Sequence, residues 1–261
     1  MFVDSHCHID YVAQCEGTGD AADIIQRAQQ AGVSHMLSVC IDLKQFATLK
    51  TLAAKYPAVS ISVGIHPTDV KDGPLTSVDH LLTLADNDQV VAFGETGLDY
   101  FRDTEAAHIA AQKQSFIAHI EAAKIAKKPL IIHARDAFSD IFSLLKAHQA
   151  DTIGGVMHCF TGTLDEAKMA IDMGFDISFS GIITFKNARD LQAVASALPL
   201  AHVLIETDSP YLAPVPFRGK TNEPSYVRYV AEQLASLHDL PIEAVAQQTS
   251  DNFFRRFPVQ R

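Results

Sequence analysis

The residues equipped for chemistry stand at the ends of short apolar runs. The first run opens the chain, MFVDSHCHID, and carries His6 and His8 two residues apart. In extended backbone, residues two apart point to one side; on a helix they would lie on roughly opposite faces. Phe2 and Val3 lead in from the apolar side, so a strand is the simpler reading, and it makes both imidazoles converge on one point. Imidazoles so placed suit a single divalent cation. Later runs end in His66, Glu95, His133 and His158, and Asp208 lies just past another. Five of the twelve histidines thus sit at run ends.

Two ligand sets follow from this distribution. His6, His8 and Asp208 form one, His133 and His158 the other, and Glu95 is placed to bridge them. Mixed imidazole and carboxylate ligands suit zinc, manganese, iron or cobalt better than a pure magnesium site. Two cations roughly 3.5 to 4 Å apart lower the pKa of a shared water toward 7 and clamp a phosphoryl or carbonyl oxygen, which is hydrolase chemistry. Asp208 can accept a proton from that water, although an Asp in ETDSP also fits the N-cap of a short helix. His66, between Gly64 and Pro67, either contacts the substrate and its leaving group or orients a ligand. Cys7 and Cys159 adjoin ligand histidines but alternate away from them, as buried thiols would.

These residues need a scaffold that brings run ends together. Apolar runs bounded by turn residues recur at Phe2 to His6, His35 to Cys40, Ala58 to His66, Val90 to Glu95, Pro129 to His133, Gly154 to His158, Asp176 to Ser180 and His202 to Glu206. Amphipathic stretches such as 21–31, 43–55, 104–126 and 136–147 lie between them, and 225–237 and 242–254 close the chain. Eight such βα units with near-continuous apolar strands predict an α/β fold, a TIM-like (β/α)8 parallel barrel. No linker or low-complexity tract interrupts the alternation, so residues 1–261 read as a single domain. The βα loops of such a barrel gather at the C-terminal ends of the strands, where the candidate ligands lie.

The length of 261 residues, 48% of them hydrophobic, suffices for a full core. No basic leader and no apolar run of membrane-spanning length is present, and the four cysteines show no disulfide or zinc-finger spacing. A cytoplasmic protein is the expectation, and a monomer, since no interface signal is visible. The net charge of −10 argues against a broad grip on nucleic acid, but bound divalent cations would invert the local field at the mouth. Arg135, Lys186, Arg218 and Lys220 follow late strands and can pair with phosphate. Tyr100, Phe160 and Phe217 offer faces for stacking a base.

The chain resembles the TatD-type metal-dependent deoxyribonucleases of the amidohydrolase-like superfamily. The resemblance is carried by FVDSHCHID at 2–10, PLIIHARDAFSD at 129–140 and VLIETDSP at 203–210, with GIHP, GETGLDY, HCFTG and RGKTNEP between and after them. It implies an eight-stranded barrel holding two divalent metal ions (Mg, Mn or Zn): His6, His8 and Asp208 on one, His133 and His158 on the other, Glu95 bridging. It also implies hydrolysis of DNA phosphodiesters, typically from the 3′ end of single strands. Relatives acting as D-aminoacyl-tRNA deacylases, and hydrolysis of a small amide or ester at the same centre, are the alternatives.

Overall fold

Parallel pairing needs strands that can be buried on both faces, and these segments supply it. In the computed structural model, which describes residues 1–17, 20–72 and 75–259, the strands are β1 (Phe2–Cys7), β2 (Val33–Ser38), β3 (Val59–Val63), β4 (Val90–Asp99), β5 (Leu130–Arg135), β6 (Gly155–Met157), β7 (Phe175–Phe179) and β8 (Val203–Ile205). They lie side by side in sequence order, each parallel to the next. The helices are α1 (Ile9–Cys15), α2 (Ala22–Gln30), α3 (Phe46–Lys55), α4 (Val78–Ala85), α5 (Ala106–Ala126), α6 (Phe138–Ala147), α7 (Leu164–Asp172), α8 (Arg189–Ala197), α9 (Val227–His238) and α10 (Ile242–Arg256). This is the expected barrel, nearly closed, with helices alternating along the chain. None of the described helices is long and apolar enough to cross a membrane.

Strand ends differ from expectation where chemistry intrudes. The third strand stops at Val63, three residues before His66, because Gly64 starts a turn that continues into a 3₁₀ segment at Pro67. The fourth runs four residues beyond Glu95, to Asp99. Its two glycines make this possible: Gly94 and Gly97 have φ of 146° and 135°, and a Cβ on Gly97 would stand 2.1 Å from the His133 carbonyl oxygen. Without side chains there, β4 lies close against β5, in a register that pairs Gly97 with His133 and Asp99 with Arg135. The expected helix 43–55 begins as a 3₁₀ turn at Leu43–Gln45 before α3.

Two buried clusters flank the strands. Met36, Ile61, Phe93, Ile132, Ile177 and Ile205 pack with helix residues such as Ile24, Leu49, Phe116 and Leu234. Val3, Leu37, Val91, Ile131, Val156 and Leu204 form a second cluster with Phe253 and Phe257, at the end of α10 and just past it. The last helix thus plugs the barrel at the N-terminal ends of the strands, opposite the candidate ligands. Asp176, fully buried near the start of β7, anchors the plug by accepting from Arg255 Nη2 at 2.9 Å and Arg256 Nε at 2.8 Å. Arg255 and Arg256 are 47% and 17% exposed, so removing Asp176 loses charge-assisted hydrogen bonds, about 1.5 to 3 kcal/mol each, without stranding a fully buried charge. Asp176→Ala should therefore lower the thermal midpoint clearly while leaving metal binding intact in protein that remains folded; an unchanged midpoint would show that the apolar plug holds α10 alone.

Candidate metal centre

Among the described residues no ladder pairs β8 with β1; isolated backbone bonds just past β8 close this seam, and the candidate ligands grow out of it. The Asp208 N–H donates to the His6 carbonyl and the His8 N–H to the Ser209 carbonyl, both at 2.9 Å. Asp4, fully buried, accepts from the Thr207 N–H at 2.9 Å and the Thr207 hydroxyl at 2.6 Å. Burial pushes the Asp4 carboxyl up to about 8, against the pull of its Thr207 hydrogen bonds. The bonds that close the barrel therefore fix His6, His8 and Asp208 relative to one another. His6 Nε2 lies 3.3 Å from His8 Nε2, and Asp208 Oδ1 lies 3.8 and 3.5 Å from them. Asp208 has a positive φ of 55° and no α-helix follows it before α9, so it does not cap a helix.

Glu95 stands between this group and the second. Its Oε2 is 3.3 Å from His6 Nε2, and its Oε1 is 3.0 Å from His133 Nδ1 and 2.8 Å from His158 Nε2. Each carboxylate oxygen thus faces a different set of imidazoles. His66 Nε2 joins the second set, 3.4 Å from Glu95 Oε1 and 3.3 Å from His133 Nδ1. Its position among potential ligands, rather than out over the substrate, follows from the turn at Gly64 and from Thr68, whose hydroxyl holds His66 Nδ1 at 2.7 Å.

Partners behind the imidazoles fix which nitrogen faces inward. His8 Nδ1 meets the Val39 carbonyl at 2.9 Å, His133 Nε2 meets Asp99 Oδ2 at 3.0 Å, and His158 Nδ1 meets Glu206 Oε1 at 3.3 Å. A carboxylate or carbonyl behind an imidazole sets its tautomer and raises its basicity toward a metal. Asp99 and Glu206 escaped the sequence reading although both lie in the quoted motifs, GETGLDY and VLIETDSP. Their signal is a carboxylate four residues after Glu95, or two before Asp208, on the same stretch as a candidate ligand, from where it backs an imidazole on a different element.

The electrostatics suit cations. His158 Nε2 is buried and lies 2.8 Å from Glu95 Oε1, so in the absence of a cation a proton on this nitrogen offsets the carboxylate charge. Burial disfavours charge on His158, yet Glu95 and Glu206 hold its pKa well above the ordinary value. His8 and His133 are raised likewise against burial, by Asp208 and by Asp99 with Glu95. Burial also opposes ionisation of Glu95, but His158 and His66 hold it well below the usual carboxylate range. Burial lowers His66 to about 3. Without metal, protons balance the carboxylates; with metal, cations would take their place. His6, Glu95 and His158, His6, His8 and Asp208, and His66, Glu95 and His133 form groups whose ligand atoms lie close enough to hold a metal ion.

The centre opens into a cavity of about 850 Å³ lined by Arg102, Arg135, Thr161, Cys159 and Tyr211 beside the ligands. Of the four cations expected to bind substrate, Arg135 alone lines it. Lys186, Arg218 and Lys220 are exposed farther out, with Arg218 laid over Phe185 at 4.0 Å and Lys220 5.8 Å from Phe217. Phe160 is core, only 2% exposed, and Tyr100 packs partly buried against the core with its hydroxyl donated to Asp140 at 2.7 Å; neither lines the cavity. Phe217 stacks on Tyr226 with centroids 4.1 Å apart. Cys7 is buried, but Cys159 is on the cavity wall, turned there by a φ of 43°, with Sγ 3.3 Å from Ser180 Oγ. The sequence reading passed over Arg102 and Tyr211, although FRD follows the fourth strand and Tyr211 follows ETDSP.

A protein-family model described as "TatD related DNase" matches residues 3–258. The chain belongs to this family. It is 42% identical to the uncharacterized metal-dependent hydrolase YcfH of Escherichia coli K12, over 99% of this chain and 96% of the relative. It is 39% identical to the uncharacterized metal-dependent hydrolase YabD of Bacillus subtilis 168, over 99% and 100%. The crystal structure of YjjV, a TatD homologue of E. coli K12, superposes with a TM-score of 0.91 at 30% identity, covering 99% of this chain and 98% of that one. The protein is accordingly a metal-dependent hydrolase of the TatD family.

Cations that displace protons from His8, His133 and His158 must bind more weakly as pH falls, and because these imidazoles hold protons above the ordinary histidine value the fall begins at higher pH than for a free imidazole. Titration calorimetry with Zn²⁺ or Mn²⁺ should show this fall, with protons released on binding. Asp99→Asn should weaken binding about 10- to 100-fold at constant pH. Affinity indifferent to both pH and Asp99 would contradict this assignment of the ligands.

Proposed function

We propose that the protein is a deoxyribonuclease that cleaves phosphodiesters of single-stranded DNA, working from the 3′ end with two divalent ions. The observation that carries this reading is the pair of guanidinium groups, Arg102 and Arg135, on the wall of the same cavity that exposes Glu95, His133, His158 and Asp208. Planar, permanently charged donors beside a cation-binding centre match a phosphodiester better than an uncharged amide or ester. The family's label supports the same substrate.

When bound, the two ions lower the pKa of water and neutralise charge in the transition state. Glu95 and the histidines place them, and Asp208 accepts the proton of the attacking water. Arg102 and Arg135 hold the non-bridging oxygens and orient the diester. Lys186, Arg218 and Lys220 meet the strand farther from the centre. The net charge of −10 limits grip elsewhere, so DNA is held at the mouth and released after each cut. The reading includes a monomer in the cytoplasm, where free cysteines persist.

The test is digestion of a single-stranded, end-labelled oligonucleotide with Mg²⁺, Mn²⁺, Co²⁺ or Zn²⁺, beside Glu95→Gln. Mononucleotides should appear only with metal, starting from the 3′ end, and the variant should be slower by roughly a hundredfold or more. Intact DNA together with metal-dependent cleavage of a carboxylic ester or a D-aminoacyl-tRNA would replace the nuclease reading with that alternative.

A further inference from the structure

One aromatic side chain at the mouth is not accounted for by packing. Phe101 is 61% exposed, just past β4; Tyr211, the other exposed ring beside the centre, lines the metal-centre cavity itself. The register of β4 on β5 puts it there: Asp99 pairs with Arg135, and the Tyr100 N–H donates to the Arg135 carbonyl at 2.9 Å. Arg135 lies over the Phe101 ring with its guanidinium carbon 4.0 Å from the centroid. This pair is a partition. On one side is the cavity of the metal centre; on the other is a groove of about 1000 Å³ that shares Arg135 and Thr161 with it and is also lined by Phe101, Phe138, Asp136 and Asp190.

The two chambers differ in character. The cavity presents cation ligands and two guanidiniums. The groove presents aromatic rings and the exposed carboxylates Asp136 and Asp190, which repel a phosphate but accept hydrogen bonds from exocyclic amino groups of bases. A guanidinium held 4.0 Å over an exposed ring offers a stacking surface for a heterocycle, and stacking of this kind tolerates any base.

Resting on the nuclease reading, we infer that this groove is a subsite for a second nucleoside. While the scissile phosphodiester occupies the cavity, the base of the adjoining nucleotide crosses the Arg135 partition and stacks on the Phe101–Arg135 pair. The substrate is therefore a strand of at least two nucleotides, single so that the base can turn out of its stack. Thr161, shared by both chambers, lies where the sugar would pass.

The test compares a dC oligonucleotide with bis(p-nitrophenyl) phosphate, a diester with no second nucleoside, using wild type, Phe101→Ala and Phe101→Trp in Mn²⁺. Because Phe101 is exposed, neither substitution opens the core. Phe101→Ala should raise KM for the oligonucleotide about tenfold with little change in kcat. Phe101→Trp should restore it, and the small diester should respond much less. Oligonucleotide KM unchanged in Phe101→Ala, or raised equally for both substrates, overturns the subsite while the nuclease reading stands. A wild type that leaves the oligonucleotide intact overturns the nuclease reading and takes the subsite with it.

Discussion

A carboxylate buried among imidazoles governs this molecule. Glu95 is only 3% exposed, and four histidines approach its two oxygens within 3.4 Å. An ionised carboxylate is tolerated there only with compensating charge, so the arrangement makes physical sense as a seat for cations. Much of the local fold serves that seat. The glycines of β4 bring Glu95 and Asp99 against β5, and the seam between β1 and β8 gathers His6, His8 and Asp208. The aromatic plug of α10 holds the opposite end of the barrel, away from the chemistry.

The convergence of these side chains was legible in sequence because barrel geometry converts a one-dimensional regularity, reactive residues at the ends of apolar runs, into a cluster at one mouth. HxH and the late histidines carry that signal even without a family resemblance. Strand lengths were less legible. Gly94 and Gly97 lower strand propensity, so the extension of β4 to Asp99 was hidden, and with it the role of Asp99 behind His133. The outer contacts were least legible. Nothing local in HCFTG says that Phe160 turns into the core, nor in GLDYFRD that Phe101 and not Tyr100 stays in solvent. Those choices depend on Asp140 and Arg135, which lie on distant stretches of the chain.

The charge distribution follows the same logic. The net charge is −10, while Arg102 and Arg135 stand on the wall of the centre's cavity; divalent cations bound there would reverse the field locally. On the nuclease reading, selectivity would then reside in the mouth rather than in a wide basic face. The backing of ligand imidazoles by Val39, Asp99 and Glu206 fixes ring orientation before any cation arrives, so ordering the ligands adds little to the cost of binding.

Anomalous diffraction from crystals soaked in Mn²⁺ or Zn²⁺ addresses the central claim most directly. Two peaks should appear roughly 3.5 to 4 Å apart, one nearest Glu95 Oε2, His6, His8 and Asp208, the other nearest Glu95 Oε1, His133 and His158. A single peak, or two that do not share Glu95, would contradict the account of a carboxylate-bridged centre.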